Sequence, residues 1–161
     1  MAVTTDQKTI RYGTQDGHQP TYQPMKANAS VYAGTIALTD STGYAKSAAT
    51  PASTDTCWGL YNGLVNGSPH VSAPITAGTT NGDTLIGIDT GTFYLANGTN
   101  SDALAQADVG ATCYVVDEIT VGKTNGGSTR PVAGKVAGIG TGQYAGKIAV
   151  TLGNNTSTGS P

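Results

Sequence analysis

From Ala27 onward the apolar residues fall in short runs separated by turn-forming residues. Thr35-Ile36-Ala37-Leu38-Thr39 is followed by Asp40-Ser41-Thr42-Gly43 and then by Tyr44-Ala45-Lys46. Asp and Ser open turns and Gly accepts positive φ at the exit, so this pattern predicts a hairpin. Residues 47–56 form a small-residue loop, and Cys57-Trp58-Gly59-Leu60-Tyr61 is the next strand. Thr84–Ile88 and Thr92–Leu95 flank Asp89-Thr90-Gly91 and predict the clearest hairpin of the chain. Ile86 and Ile88 share one face there, and Phe93 and Leu95 share the opposing one. Further strands are expected over Thr112–Val116, Ile119–Val121, Arg130–Ile139 and Lys147–Leu152. In the last, Ile148, Val150 and Leu152 alternate with Lys147, Ala149 and Thr151, the pattern of a strand with one buried face. Asn-Gly recurs at 62–63, 66–67, 81–82, 97–98 and 125–126, and this dipeptide suits the positive φ angles of type I′ turns. Ser101–Val109 is the best helix candidate, one or two turns long, with Ser101 or Asp102 as cap and Gly110 as stop.

The two ends read differently. Residues 1–26 are polar, and Pro20 and Pro24 disfavour a helix between them. We read 1–26 as an extended N-terminal arm that orders on a partner surface, with Tyr12, Tyr22 and Met25 as its candidate partner-binding residues. Residues 153–161 read as a flexible tail. The body, 27–152, is expected to be all-β: a small antiparallel β-barrel or β-sandwich with one short helix.

Composition narrows the function. Only 11% of the 161 residues are charged, against roughly 25% in an average globular chain. With eight Lys and Arg in all, nucleic-acid binding through phosphate neutralisation is not expected. The 23 glycines and the scarcity of charge argue against a helical bundle, and a net charge of −2 argues against a charged disordered tail. No apolar run approaches the roughly 18 residues of a membrane span, and no basic stretch followed by an apolar one opens the chain. The expectation is synthesis in the cytoplasm and no membrane partner. Cys57 and Cys113 lack metal-ligand spacing. They read as two buried free thiols, with a single bridge as the alternative.

No catalytic constellation emerges. The only histidines, His18 and His70, lie in the arm and in a loop after Pro69, without the spacing of a metal or catalytic pair. Asp117-Glu118 is the only adjacent acidic pair, and it reads as a hairpin turn with solvated carboxylates. Gly138, Gly140 and Gly142 are spaced like a phosphate loop but lack the Gly-Lys-Ser/Thr ending and a following helix, so they read as bulges and bends. Asn28, Asn97, Asn154 and Asn155 match the glycosylation pattern at the frequency an Asn/Thr-rich chain produces by chance. We expect no enzyme, no cofactor and no metal. Low charge lets a surface meet another protein without heavy desolvation, which suits a chain that works in an assembly.

The run from Ala107 to Val150 resembles the closing part of tailed-bacteriophage capsid decoration proteins, the head-stabilisation or structural cement family. Its motifs are Ala107-Asp108-Val109-Gly110, Cys113-Tyr114-Val115, Asp117-Glu118, Thr120-Val121, Arg130-Pro131-Val132-Ala133-Gly134-Lys135-Val136 and Ile148-Ala149-Val150. Ala33–Leu38 with Gly43-Tyr44-Ala45 is similar to the family's opening strands, and Gly91–Leu95 to its middle. The resemblance covers roughly 27–152; the arm 1–26 and the loop 62–80 depart from it. It implies a virion structural protein on the capsid exterior that cements neighbouring major capsid protein subunits. It also implies self-association, a homotrimer in preference to a homodimer, and carries no catalytic residues. Two other classes fit the composition: a structural domain of a phage tail or fibre, and a carbohydrate-binding β-sandwich using Trp58 and tyrosines as a platform.

Overall fold

A computed structural model describes residues 3–4, 21–70 and 73–153. The protein is all-β, with antiparallel sheets and a small closed barrel. Eight strands form the first half: β1 (Thr21–Pro24), β2 (Ser30–Val31), β3 (Ile36–Thr39), β4 (Ala45–Ser47), β5 (Thr56–Val65), β6 (Ser68–Pro69), β7 (Ile75–Thr76) and β8 (Leu85–Asp89). Five form the second: β9 (Gly91–Asn97), β10 (Thr112–Val115), β11 (Thr120–Gly122), β12 (Val132–Ile139) and β13 (Lys147–Leu152).

In the first half the sheet order is β1-β8-β5-β3-β4, with β6 on β5 and β2 paired to β7 apart from them. The expected hairpin of β3 and β4 is present. Its turn is built locally, as Asp40 Oδ1 accepts from the amide and the hydroxyl of Thr42 at 2.9 and 2.6 Å. The sheet curls until its outer strands meet: Met25 forms a parallel bridge to Ala45, and the Lys26 amide donates to the Ala45 carbonyl at 2.9 Å. Inside the curl lies a core of Met25, Val31, Ala37, Ala45, Tyr61, Ile75, Ala77, Ile86 and Ile88.

The second half closes in the order β10-β11-β9-β13-β12. Its core holds Phe93, Leu95, Cys113, Val115, Val121, Val136, Ile148 and Val150, and it is continuous with Ile36, Leu38, Cys57 and Leu60 from the first sheet. Every residue of β3 is buried, because Ile36 and Leu38 face one core and Ala37 the other. One seam, β9 against β11, is parallel. The 98–119 connection exceeds the dozen or so residues that such a crossover requires.

Three local expectations are corrected. β8 and β9 are not a hairpin: β8 pairs with β5 and β1, whereas β9 pairs with β13 and β11. Thr90 alone separates them, Gly91 takes φ of +135°, and their apolar residues enter different cores. The helix expected at 101–109 is instead two 3₁₀ turns, Asn100–Asp102 and Gln106–Asp108, with extended residues at Ala103 and Val109. Leu104 is the only large apolar side chain buried there, and its backbone is held on both sides by the Asn97 amide at 2.9 Å. Asn66-Gly67 makes the expected tight turn, with φ of 51° and 83°. Asn62-Gly63 instead lies within β5, at a bulge against β8.

The arm and tail boundaries also shift. Thr21–Pro24 belongs to the sheet, and the Gly153 amide donates to Ala133 O at 2.9 Å. Residues 5–20 and 154–161 lie outside the described residues.

Candidate interaction surface

β1 and β8 build the most exposed apolar surface that the first sheet presents. Antiparallel register sets Pro24 opposite Leu85 and Tyr22 opposite Gly87, so Tyr22, Pro24 and Leu85 share one face. The alternate residues Ile86 and Ile88 turn to the other face and into the core. The barrel core meets this sheet through residues of β3 and β5, and the β1–β8 end lies beyond that contact. Leu85 is consequently 41% exposed, a high value for a leucine on a strand.

Asn62, Asn66 and the Asp89 carboxylate border the patch. A Cβ on Gly87 would lie 2.3 Å from Asn62 Oδ1, so the glycine lets the Asn62 side chain rest on β8. There Asn62 donates to Asp89 Oδ1 at 3.0 Å, and Asn66 Oδ1 accepts from the Leu85 amide at 2.8 Å. β1 is the terminal strand of the sheet order, and it ends in Pro24, which has no N–H to offer. The chain enters this strand at Thr21, directly after the stretch that carries Tyr12.

Of the three candidate partner residues, Tyr12 lies outside the described residues. Tyr22 stands half-buried on the patch. Met25 is corrected: it is 0% exposed, and its unbranched side chain fills the core where the two sheet edges meet. Leu85 and Pro24 had no distinguishing signal. The alternation Leu85-Ile86-Gly87-Ile88 marks a strand but not which end of its outer face is left uncovered.

The Asp117-Glu118 turn is also corrected. Both residues are nearly buried, at 8% and 3% exposure, because the turn projects against the first sheet. Burial opposes the Asp117 charge, yet contacts that include the Ile119 and Thr120 amides on its Oδ1, at 3.0 and 2.9 Å, bring its pKa below the ordinary value. Glu118 joins three parts of the chain. Its carbonyl accepts from the Ile36 amide at 2.8 Å, its Oε1 accepts from the Ser47 hydroxyl at 2.6 Å, and its Oε2 accepts from the Val3 amide at 2.5 Å.

The remaining sequence candidates resolve into structure. Cys57 and Cys113 are free and buried, and burial pushes both thiols up to about 12. Trp58 packs on the first-half core and donates its indole N–H to Thr39 Oγ1 at 2.8 Å. Gly138 sits at a bulge between β12 and β13, and a Cβ on Gly140 would lie 2.1 Å from the Tyr144 carbonyl oxygen. His18 is outside the described residues; the His70 amide donates to Gly63 O at 2.8 Å.

Charge is largely spent within the chain. Lys26 pairs with Asp40 at 2.7 Å, Lys46 with Asp55 at 2.9 Å, Lys123 with Asp108 at 2.8 Å and Arg130 with Asp102 at 2.7 Å. On the barrel wall Tyr94 stacks on Tyr144 with ring centroids 4.4 Å apart. Among the described residues no group of three or more His, Cys, Asp or Glu is placed to hold a metal ion, and no helix is long and apolar enough to cross a membrane. No protein-family model matches the chain, and no curated protein or solved structure matches it.

Proposed function

We propose that this chain is a virion structural protein that binds the outside of an icosahedral phage capsid and cements neighbouring major capsid protein subunits. The observation that carries the reading is the uncharged overhang of Tyr22, Pro24 and Leu85, on the edge strand where the N-terminal stretch joins the body. A surface of this kind meets a protein partner at low desolvation cost. Short of the bridge at Met25, Thr21–Gln23 stand on the last strand of the sheet order and offer backbone groups to an added strand. The all-β body and the ordered series of motifs between Ala107 and Val150 support the same reading. Internal pairing of Lys26, Lys46, Lys123 and Arg130 supports adhesion through neutral surface rather than charge.

The work such a protein does is thermodynamic. Binding that spans two subunits adds to the stability of the assembled shell by linkage. Many copies on one lattice, and self-association into a homotrimer, add avidity. The test compares heads assembled with the protein, without it, and with Leu85→Glu. The wild-type protein should bind the heads and raise the temperature at which they release DNA. Leu85→Glu should bind at least tenfold more weakly, since an ionised group replaces a buried apolar contact, while its own melting temperature is unchanged. Heads equally heat-stable with and without the protein refute the cementing role.

A further inference from the structure

Each of the five Asn-Gly dipeptides carries a latent reaction. The glycine nitrogen can attack the carboxamide carbon of the asparagine before it, because glycine has no Cβ to block the approach. Four of the five are restrained by other parts of the chain. The Gly82 and Gly98 amides are engaged, on Met25 O at 2.9 Å and on Val121 O at 2.8 Å. Their asparagines are held as well: Asn81 Oδ1 receives the Ala27 amide at 2.8 Å, and both polar atoms of the Asn97 side chain bond to the Leu104 backbone at 2.9 Å. Asn62 is fixed between the Leu64 amide and Asp89, each at 3.0 Å, and Asn66 Oδ1 receives the Leu85 amide at 2.8 Å.

Asn125-Gly126 differs on each count. Asn125 is exposed, and the Gly126 N–H has no acceptor among the described residues. The one hydrogen bond to the Asn125 carboxamide comes from its own loop, from the Ser128 amide to Oδ1 at 3.3 Å. That bond folds the carboxamide back over the loop and sets a donor on the oxygen that gathers negative charge during attack. The frame around it is fixed. The Asn125 carbonyl accepts from the Thr129 and Arg130 amides, both at 3.1 Å, and Gly126, Gly127 and Ser128 are left-handed at φ of 61°, 70° and 69°. A Cβ on Gly126 would lie 3.0 Å from Arg130 Nε, so the guanidinium rests against this glycine. Its positive charge favours loss of the amide proton.

We propose that Asn125 is a self-modification site, where the folded protein converts asparagine to aspartate and isoaspartate with water as the only co-substrate. The Gly126 nitrogen gives its proton to solvent and bonds to Asn125 Cγ. The Cγ–Nδ2 bond breaks, and the leaving nitrogen takes a proton from solvent and departs as ammonia, which leaves a cyclic imide. Water then adds to one imide carbonyl, and the bond from that carbonyl to the Gly126 nitrogen breaks. Opening at Cγ gives aspartate. Opening at the main-chain carbonyl gives isoaspartate, whose backbone is longer by one carbon. In isoaspartate the carbonyl that receives Thr129 and Arg130 becomes a free carboxylate beside the Arg130–Asp102 pair. The loop thereby gains a negative charge and loses its closing bonds. The site does not depend on the capsid reading.

The test ages the full-length protein in mildly alkaline buffer, native and in urea, and follows its tryptic peptides by mass spectrometry. Thr124–Lys135 carries Asn125, since trypsin does not cut between Arg130 and Pro131, whereas Ser47–Lys123 carries the other four dipeptides. In the native protein Asn125 should convert roughly tenfold faster, or more, than any of the other four, the factor for first breaking one or two tertiary hydrogen bonds. An isoaspartyl methyltransferase should label Thr124–Lys135 ahead of Ser47–Lys123. In urea the five should convert at similar rates. Asn125→Gln, whose longer side chain would have to close a larger and slower-forming ring, should abolish conversion in Thr124–Lys135 and leave the melting temperature unchanged. Native conversion within Ser47–Lys123 as fast as at Asn125 overturns the proposal. So does an equal preference for Asn125 in urea, which would assign the selectivity to neighbouring sequence rather than to the fold.

Discussion

Replacing Tyr61 by phenylalanine removes one oxygen atom from the first-half core. The residue is 1% exposed, and its hydroxyl lies 2.7 Å from the Lys46 carbonyl and 3.1 Å from the Leu38 carbonyl. It thereby ties β5 to both strands of the β3–β4 hairpin. The phenyl ring keeps every apolar contact, so the loss is confined to the hydrogen bonds. Leaving a buried carbonyl short of its donor costs about 1–3 kcal/mol, and a central figure is about 2 kcal/mol. The entropy of unfolding is near 2.1 cal/mol/K per residue, so over the roughly 130 described residues this converts to a fall in Tm of about 7 °C. In urea the midpoint should drop by about 1 M with the slope unchanged, since the surface exposed on unfolding is the same. Burial also pushes the Tyr61 phenol well above the ordinary tyrosine range, despite its carbonyl contacts. Alkaline titration at 295 nm should therefore show one tyrosine fewer among those that ionise only on unfolding. A midpoint within 0.2 M of wild type, a change of about 0.4 kcal/mol at typical slopes, would refute the reasoning. It would mean that water replaces the hydroxyl at no cost.

Other expectations can be checked alongside. At a pKa of about 12, roughly one thiol in ten thousand is ionised at pH 8, so Cys57 and Cys113 should react with a disulfide reagent only after unfolding; rapid labelling of the native protein contradicts their burial. Gly134→Ala would place a Cβ 1.9 Å from the Thr151 carbonyl oxygen in the β12–β13 seam. A cost of about 3 kcal/mol or more is expected, read as lost expression or a large fall in Tm, and a stable variant would show that the seam can part cheaply. Asp40 is held below the usual carboxylate range, burial notwithstanding, by Lys26 and Thr42, and Asp102 by Thr124 and Arg130. A depressed carboxylate stabilises the fold above its unfolded pKa and loses that contribution as pH falls through the folded value. Thermal stability should be flat from pH 5 to 8 and fall below about pH 4; a rise on acidification would oppose the assignment.

Features that local chemistry decides were legible in the residues themselves. The turn at Asp40–Gly43 is closed by its own aspartate, Asn66-Gly67 forms a two-residue turn, and the alternation in β13 marks a strand of the barrel wall. What escaped is decided across distance. Nothing in Leu85–Leu95 states that β8 and β9 join different sheets, because each strand shows the same period whichever partner it takes. Asn97 reads as a turn residue, yet its amide serves as a partner for Leu104. Met25 reads as the end of a polar arm until the two sheet edges are brought together around it. Of the interaction surface, Tyr22 was visible from its residue type, whereas Leu85 depends on how far the barrel reaches across the sheet. Glu118 was misread for the same reason: a turn is assumed to face water unless another part of the chain covers it.

The order in which the strands arrive matters for a nascent chain. All strands of the first sheet have left the ribosome once Asp89 has emerged, but the barrel has no closing strand until Lys147–Leu152 is made, since β13 is the piece that joins β9 to β12. Throughout that interval Ile36, Leu38 and Leu60 have no barrel to cover them. A product terminated within this window is thus expected to be sticky rather than half-active, and its survival depends on chaperones or on degradation. The last six strand residues set the moment at which the molecule becomes safe to release.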